Sequence, residues 1–378
     1  MIKVSTTRMV VSLKTDLRFP IPGQQGHGSR IIQYVLDDIG VYNLKEIDKP
    51  APKEGEVLVC VKAAGICGSD IPRAYFTGTY HYPLIPGHEF AGQVVALGDG
   101  VEDKWLGKRV GVFPLIPCKE CSPCRKKQYE MCQHYNYLGS RTDGGFAEYV
   151  TVPEWNLIEL PVNVSFEQAA MMEPMAVALH SIRKCQVTKE DTVAVCGLGT
   201  IGLFVVMFLK QMGCKKVLGL GNKEFQKKSI QKLGVSEEEY CDIHTSDAQK
   251  WIFDQTGENG VDVFFECVGK NETISLGLQV VTAGGKVQLV GNPAGDMQFS
   301  KSLYWKILRK QISLYGTWNS SFTHEEEDDW NTVLTLLKQG EIHPEEMITH
   351  RFGMNQLLDG YGIMRDKTED YVKILWEP

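Results

Sequence analysis

"DTVAVCGLGTIGLFVVMFLKQMG", residues 191–213, is where the chain changes from one kind of structure to another. "DTVAVCGLG" reads as a short, continuous apolar strand, and "TIGLFVVMFLKQMG" follows with helical length and a glycine stop. Between them Gly197, Gly199 and Gly202 form G-x-G-x-x-G. The first glycine permits a tight turn, the second lets a pyrophosphate approach the backbone, and the third lets helix and strand pack closely. Phosphates then lie over the helix N-terminus, where free N–H groups and the dipole favour anions. In this strand–turn–helix setting the pattern predicts dinucleotide binding; a purely structural turn is the alternative.

Downstream, "KKVLGLG", "VDVFFECVG", "GKVQLVG" and "QISLYGTW" are strand-like, each preceded by a helix-length stretch. Alternating β and α units predict a parallel, doubly wound sheet. The expected cofactor-binding residues are Gly197, Gly199, Thr200, Ile201, Gly202, Asn222, Lys223, Val268 and Val290. About 20 residues after the glycines an acid normally bonds the ribose 2′-hydroxyl of NAD. Here the strand ends in Gly221-Asn222-Lys223, with no carboxylate at its tip. A missing acid removes repulsion against a 2′-phosphate, and Lys223 supplies a point charge for one. The reading leans towards NADP, with a relaxed site for either NAD(P) form as the alternative. The acidic run "HEEEDDW" at 324–330 is expected to open the helix "WNTVLTLLKQG" and to form a solvated face.

Upstream, residues 31–183 are rich in short β-like runs such as "EVLVCVKAAGI", "GQVVALG", "KRVGVF" and "FAEYVTV", separated by "PKEG", "GDG" and "DGG". This predicts an all-β module ahead of the α/β one. A chain of 378 residues is long for one compact core, which agrees with two domains. Residues 1–30 carry Lys3, Arg8, Lys14, Arg18 and Arg30 against a single acid, Asp16, and are expected to be a leader or disordered arm. The longest apolar run there, Met9-Val10-Val11, is too short for a signal-peptide core.

Apolar residues make up 43% of the chain and charged residues 23%, ordinary for a globular α/β protein. A formal charge of −7 argues against nucleic acid or an anionic membrane as partner. No apolar run approaches the roughly 18 residues that span a bilayer. Eleven cysteines without a secretion signal point to a reducing, cytoplasmic compartment, where clustered thiols bind metal.

Cys118, Cys121, Cys124 and Cys132 give C-x2-C-x2-C-x7-C in "CKECSPCRKKQYEMC". Four thiolates on one polar loop match a closed tetrahedral structural zinc site. An iron–sulfur cluster also takes four cysteines, but this loop lies outside any cluster fold. A second set is scattered: Cys67, Ser69 and Asp70 in "GICGSD", His88 and Glu89 in "PGHEF", and Glu173 within the apolar "MMEPMAVALH". A cysteine, a histidine and a carboxylate from distant segments suit a zinc site with one open position, although spacing alone only suggests it.

"GHEFAGQVVALGDGV", the four-cysteine loop and "GLGTIG", in that order, resemble the zinc-dependent medium-chain alcohol dehydrogenase superfamily. The resemblance covers residues 31–378. It implies a GroES-like catalytic domain at 31–183, a Rossmann domain at 184–318, a return segment to the catalytic domain at 319–378, and an active-site cleft between the domains. Within the superfamily, "YHYPLIPGHEF", "GSRTDGGFAEYV" and "KILRKQISLYGTWN" resemble the polyol and polyol-phosphate branch, the galactitol-1-phosphate 5-dehydrogenases in particular.

By that resemblance Cys67 and His88 are zinc ligands, with Glu173 and Glu89 as exchangeable carboxylates. Ser69 takes the alcohol proton, and Asp70 orients His88 through its other ring nitrogen. Two Zn2+ per chain are implied, one catalytic and one structural. A hydroxyl beside zinc loses its proton readily, and hydride passes to the nicotinamide. One departure stands out: many relatives end the proton relay with a histidine three residues after the serine, and here that position is Pro72.

Arg73, Arg141 and Trp318 are the expected substrate residues. Arg73 and Arg141 are first choices for a phosphate because a guanidinium grips one bidentately. The implied reaction is hydride transfer between a polyol or polyol phosphate and a nicotinamide cofactor. A free polyol, a secondary alcohol or threonine is the alternative substrate, and a non-catalytic NADPH-binding protein the remote alternative. A homodimer or homotetramer is expected, with "ISLYGTW" as an edge strand open to pairing.

Overall fold

The computed structural model describes residues 30–293 and 295–378. The leader proposed for 1–30 therefore lies outside the described residues except for Arg30, which begins a strand. Two main sheets organise the rest. The first has seven strands and is antiparallel around its long pair, Glu56–Ile66 and Glu89–Leu97. Arg109–Val112 and Leu157–Glu159 extend one side, and Tyr149–Pro153 also pairs with Glu56–Ile66.

The second sheet has six strands, all parallel, with Thr192–Cys196 at its centre. Lys216–Gly221 and Tyr240–Asp242 lie to one side of it, and Val261–Glu266, Val281–Leu289 and Ser313–Gly316 to the other. Counted along the chain the order is 3-2-1-4-5-6, so the order reverses at the central strand. Dinucleotides bind at the carboxyl ends of strands at such a switch point. The helix Thr200–Gln211 starts there. Gly197 sits at φ +97, and a Cβ at Gly202 would collide with the Gly197 carbonyl oxygen, so close helix–strand contact requires glycine at both.

After Ser313–Gly316 the helix Asp329–Gln339 packs on the helix Met172–Lys184. Ile348–Phe352 and Lys373–Trp376 then join the first sheet, the latter beside Glu56–Ile66. The acidic run before the helix is not simply a solvated face. Asp328 caps the helix by accepting from the Asn331 N–H, and both Asp328 and Asp329 are buried. The reason is a charge partner: Asp329 accepts from His180 Nδ1 at 2.7 Å and from Arg183 at 2.9 Å. A carboxylate buried with a guanidinium and an imidazole is hydrogen-bonded rather than solvated.

Asn156 bolts the first sheet to the loops beyond it. Its side chain is fully buried and donates to the carbonyls of Phe113 and Leu115 at 2.7 and 2.8 Å. Asn156→Ala leaves two buried carbonyls without those donors. It is expected to lower unfolding stability by about 2–4 kcal/mol, read by calorimetry or urea titration. A loss within error of zero would show that the carbonyls find other donors. Among the described residues no helix is long and apolar enough to cross a membrane.

Candidate active site

The first candidate metal-ligating residues lie where the antiparallel sheet begins. Glu89 opens the strand Glu89–Leu97, and His88 immediately precedes it. Gly87, at φ +96, brings this corner against Phe146, leaving no room for a side chain. Cys67 follows the strand Glu56–Ile66, and Ser69 and Asp70 start the short helix Asp70–Tyr75. The fold thereby places ligand atoms of Cys67, His88 and Glu89 within 4.8 Å of one another. Glu173, on the helix Met172–Lys184, lines the same cavity but stands outside that tight set.

Hydrogen bonds fix these groups. Asp70 accepts from the Cys67 N–H at 3.0 Å, lies 3.5 Å from His88 Nδ1, and meets Arg73 at 3.3 Å. The Ser69 hydroxyl donates to the Cys67 sulfur at 3.3 Å. Burial pushes the His88 imidazole down, but Asp70 and Cys67 beside it override this and hold it well above the ordinary histidine range. Burial raises Glu173 to about 7, against the opposing pull of His88, while Glu89 raises it further. Tyr137 donates to Glu173 at 3.1 Å, and its ring lies 5.8 Å from that of His88. A half-buried thiol beside a buried imidazole and buried carboxylates forms a site that suits a cation, and their donor types are those of zinc.

The cysteine loop makes the same test with one donor type. The sulfurs of Cys121 and Cys124 lie 3.4 Å apart, and the Cys118–Cys124 and Cys121–Cys132 pairs 3.9 Å. These are not disulfide distances. They bracket the edge of about 3.8 Å in a tetrahedron with metal–sulfur bonds of about 2.3 Å. Backbone N–H groups point at the sulfurs; the one from Gln133 is the main cause that lowers Cys121 to about 6. The loop fits a closed zinc site.

The cavity beside Cys67, His88 and Glu89, about 250 Å³, is also lined by Arg73, Arg141 and Trp318. Ile201, Val290 and Asn292 border it from the side of the parallel sheet. Of the other expected cofactor residues, Val268 packs over Gly197, and Thr200 donates its hydroxyl to the Val372 carbonyl at 2.5 Å. Asn222 and Lys223 stand at the far strand tip; the Asn222 N–H donates to Gln226, and Lys223 pairs with Asp370.

Several residues had not been anticipated. Lys373 is buried and pairs with Glu89, also donating to the Ile66 carbonyl at 3.2 Å. A lysine inside the apolar run "YVKILW" was its one visible signal, because buried lysines are almost always paired. Tyr80 and Tyr135 hold Arg141 between them, with ring centroids 4.3 and 4.2 Å from the guanidinium carbon. Nothing in the sequence marked these tyrosines or Tyr137.

Two family models match the chain: the alcohol dehydrogenase GroES-like domain over residues 53–162, and the zinc-binding dehydrogenase over 200–339. Galactitol 1-phosphate 5-dehydrogenase of Escherichia coli is 31% identical, covering 84% of this chain and 91% of that one. Sorbitol dehydrogenase of Halalkalibacterium halodurans is also 31% identical, over 90% of this chain and 96% of its own. The crystal structure of galactitol-1-phosphate dehydrogenase from Escherichia coli superposes with a TM-score of 0.85 at 29% identity, covering 92% of this chain and all of that one. With a cluster suited to a metal at the first sheet and a glycine turn at the switch point of the second, the chain belongs to the zinc-dependent medium-chain alcohol dehydrogenases and is a nicotinamide-dependent enzyme.

Proposed function

We propose that the enzyme oxidises a secondary hydroxyl of a polyol phosphate resembling galactitol 1-phosphate, with two zinc ions per chain and NADP as the favoured cofactor. The observation that carries the substrate is a pair of guanidiniums, Arg73 and Arg141, in the cavity that also holds Cys67 and His88. Arg141 is pre-organised between two tyrosine rings and uses only some of its five donors on Tyr135 and Tyr80. Such a group recognises a phosphate at low entropic cost. The name of the Escherichia coli relative points the same way.

When bound, zinc polarises the substrate hydroxyl and the nicotinamide accepts the hydride. Cys67, His88 and the carboxylates Glu89 and Glu173 hold the catalytic metal, with Asp70 steering His88. The Ser69 hydroxyl, which donates to the Cys67 sulfur, would accept the substrate proton as it passes its own on to water. Lys373 balances the Glu89 charge, so Glu89 would serve as a metal ligand only at the cost of a buried ion pair. Cys118, Cys121, Cys124 and Cys132 hold the structural zinc. The domain division is 31–183, 184–318 and 319–378, and Trp318 borders the substrate.

For the cofactor, the tip of the strand Lys216–Gly221 carries more support than the missing acid alone. A Cβ at Gly221 would lie 2.7 Å from Gln226 Oε1 and 2.9 Å from the Tyr240 hydroxyl. Those side chains occupy the place of a ribose-binding carboxylate; the Tyr240 hydroxyl donates to the Lys223 carbonyl, and the Lys223 ammonium is the donor offered to a 2′-phosphate. A homo-oligomer is supported by the edge strand Ser313–Gly316 with exposed Leu314, and by Tyr304, Trp305 and Leu308 exposed on the adjacent helix Lys301–Lys310. Eleven free cysteines support a cytoplasmic location.

The test is the initial rate of nicotinamide reduction with galactitol 1-phosphate beside free galactitol, sorbitol and threonine, each with NAD+ and NADP+. A strong preference for the phosphorylated polyol supports the reading. A preference for a free polyol or threonine overturns the substrate and leaves the dehydrogenase chemistry in place. Arg141→Ala is expected to raise KM for the phosphorylated substrate roughly tenfold or more, the loss of a charge-assisted contact. The same variant should leave KM for a free polyol nearly unchanged, and equal losses on both would show that Arg141 only supports the pocket.

A further inference from the structure

The segment 370–373 touches three parts of the site in four residues. Lys373 pairs with Glu89 at the metal cluster. Val372 accepts from Thr200 at the N-terminus of the glycine-loop helix. Asp370 lies 3.1 Å from Lys223 Nζ at the strand tip where the adenosine ribose is read. The first two contacts are buried or half-buried and fix the backbone two and three residues from Asp370. Lys223 is fixed from its own side as well. It precedes the helix Glu224–Lys232, its carbonyl accepts from the Tyr240 hydroxyl at 3.1 Å, and its ammonium lies 5.3 Å from the Phe225 ring centroid.

We propose that Asp370 sets the choice between the phosphorylated and unphosphorylated dinucleotide by competing with the 2′-phosphate for Lys223. The strand tip lacks its own acid, and the segment returning from the far end of the chain supplies one instead. The proposal rests on the reading of Lys223 as the partner of the 2′-phosphate. The side chains of Lys223 and Asp370 are 44% and 56% exposed, so their ion pair is weak enough to open when a ligand arrives. A 2′-phosphate, with close to two negative charges, must take Lys223 from Asp370 and then remain beside that carboxylate, which is held in place by Val372 and Lys373. An unphosphorylated ribose meets neither demand, and its hydroxyls accept a nearby carboxylate as a hydrogen-bond partner. Asp370 therefore lowers affinity for NADP(H) selectively and holds the site nearer to balance than Lys223 alone would.

The experiment is equilibrium titration of the zinc-loaded enzyme with NADPH and with NADH, followed by nucleotide fluorescence, which reads binding without turnover. Asp370→Asn is expected to tighten NADPH roughly three- to tenfold and to leave NADH within about twofold. The gain should shrink as salt rises from 50 to 500 mM. It should shrink in a Lys223→Ala background to the part owed to direct repulsion between Asp370 and the phosphate, because the competition needs both partners. If Lys223→Ala weakens NADPH but Asp370→Asn shifts neither nucleotide, or shifts both equally, the role of Asp370 is overturned and that of Lys223 stands. If Lys223→Ala leaves NADPH binding intact, the phosphate reading of Lys223 and the proposal fall together.

Discussion

Cys67→Ser is expected to lower kcat/KM by roughly a thousandfold or more while the thermal unfolding midpoint stays within about 2 °C of the parent. The sulfur is one of three ligand types brought within 4.8 Å, and it accepts the Ser69 hydroxyl. A serine hydroxyl is a poor ligand for zinc, since it is neither soft nor ionised at neutral pH, so the variant loses both the metal's anchor and the anion that orients Ser69. Losing a direct ligand costs more than the ten- to hundredfold typical of a residue that merely supports one. Folding is spared for a local reason. The bond that holds this corner together is the Cys67 backbone N–H donating to Asp70, which serine retains, and the side chain is only partly buried. Metal analysis supplies the second readout: the variant should retain one zinc per chain where the parent is expected to hold two. Near-normal turnover, or two zincs retained, would remove Cys67 from the metal site.

What could be read ahead of the structure was local in sequence. The glycine turn lies in a window of six residues, and the parallel sheet around Thr192–Cys196 follows from alternating β and α units, although the short edge strand Tyr240–Asp242 did not. Four cysteines within 15 positions carry their own distances, because a short loop cannot place them far apart. Cys67 and the adjacent pair His88–Glu89 were harder, because they lie at the ends of two different strands and only the antiparallel pairing of Glu56–Ile66 with Glu89–Leu97 brings them together.

The parts that stayed hidden depend on partners remote in sequence. Lys373 meets Glu89 across 284 positions, and Asp370 meets Lys223 across 147. Asp370 is an ordinary surface residue type and carries no signal until the closing strand is placed, and Lys373 is marked only by its apolar neighbours, which do not name its partner. Asp329 shows the opposite failure. It sits in an acidic run whose composition predicts solvent, yet His180 and Arg183 on a packed neighbouring helix make burial affordable. Tyrosines escape notice for a third reason: the same residue fills a core or holds an arginine, and only the Tyr80–Arg141–Tyr135 stack tells which. Pro72 also gains context. It lies in the first turn of Asp70–Tyr75, and its carbonyl accepts from the Phe76 and Thr77 N–H groups, so this position positions the chain and moves no proton.

Cys124→Ser should act on stability first and on catalysis second, the reverse of Cys67→Ser. Cys124 is 3% exposed, its sulfur lies 3.4 and 3.9 Å from those of Cys121 and Cys118, and the loop around it is polar and too short to form a core of its own. On the proposed zinc reading such a segment is ordered by metal, so removing one of four thiolates would remove much of the free energy that orders it. A loss of roughly 2–5 kcal/mol in global stability is expected, together with early local melting of residues 118–132. The effect reaches the active site through chain connectivity. Tyr135 and Tyr137 follow Cys132 by three and five residues, one stacking on Arg141 and the other bonding Glu173. Loosening the loop should therefore raise KM several-fold while leaving the catalytic zinc bound. Calorimetry, zinc content and KM on one preparation separate the possibilities. An unchanged melting temperature with two zincs retained would show that the four cysteines do not share a structural metal. A lowered melting temperature with one zinc retained and measurable kcat would assign the missing ion to this loop and the remaining one to Cys67 and His88.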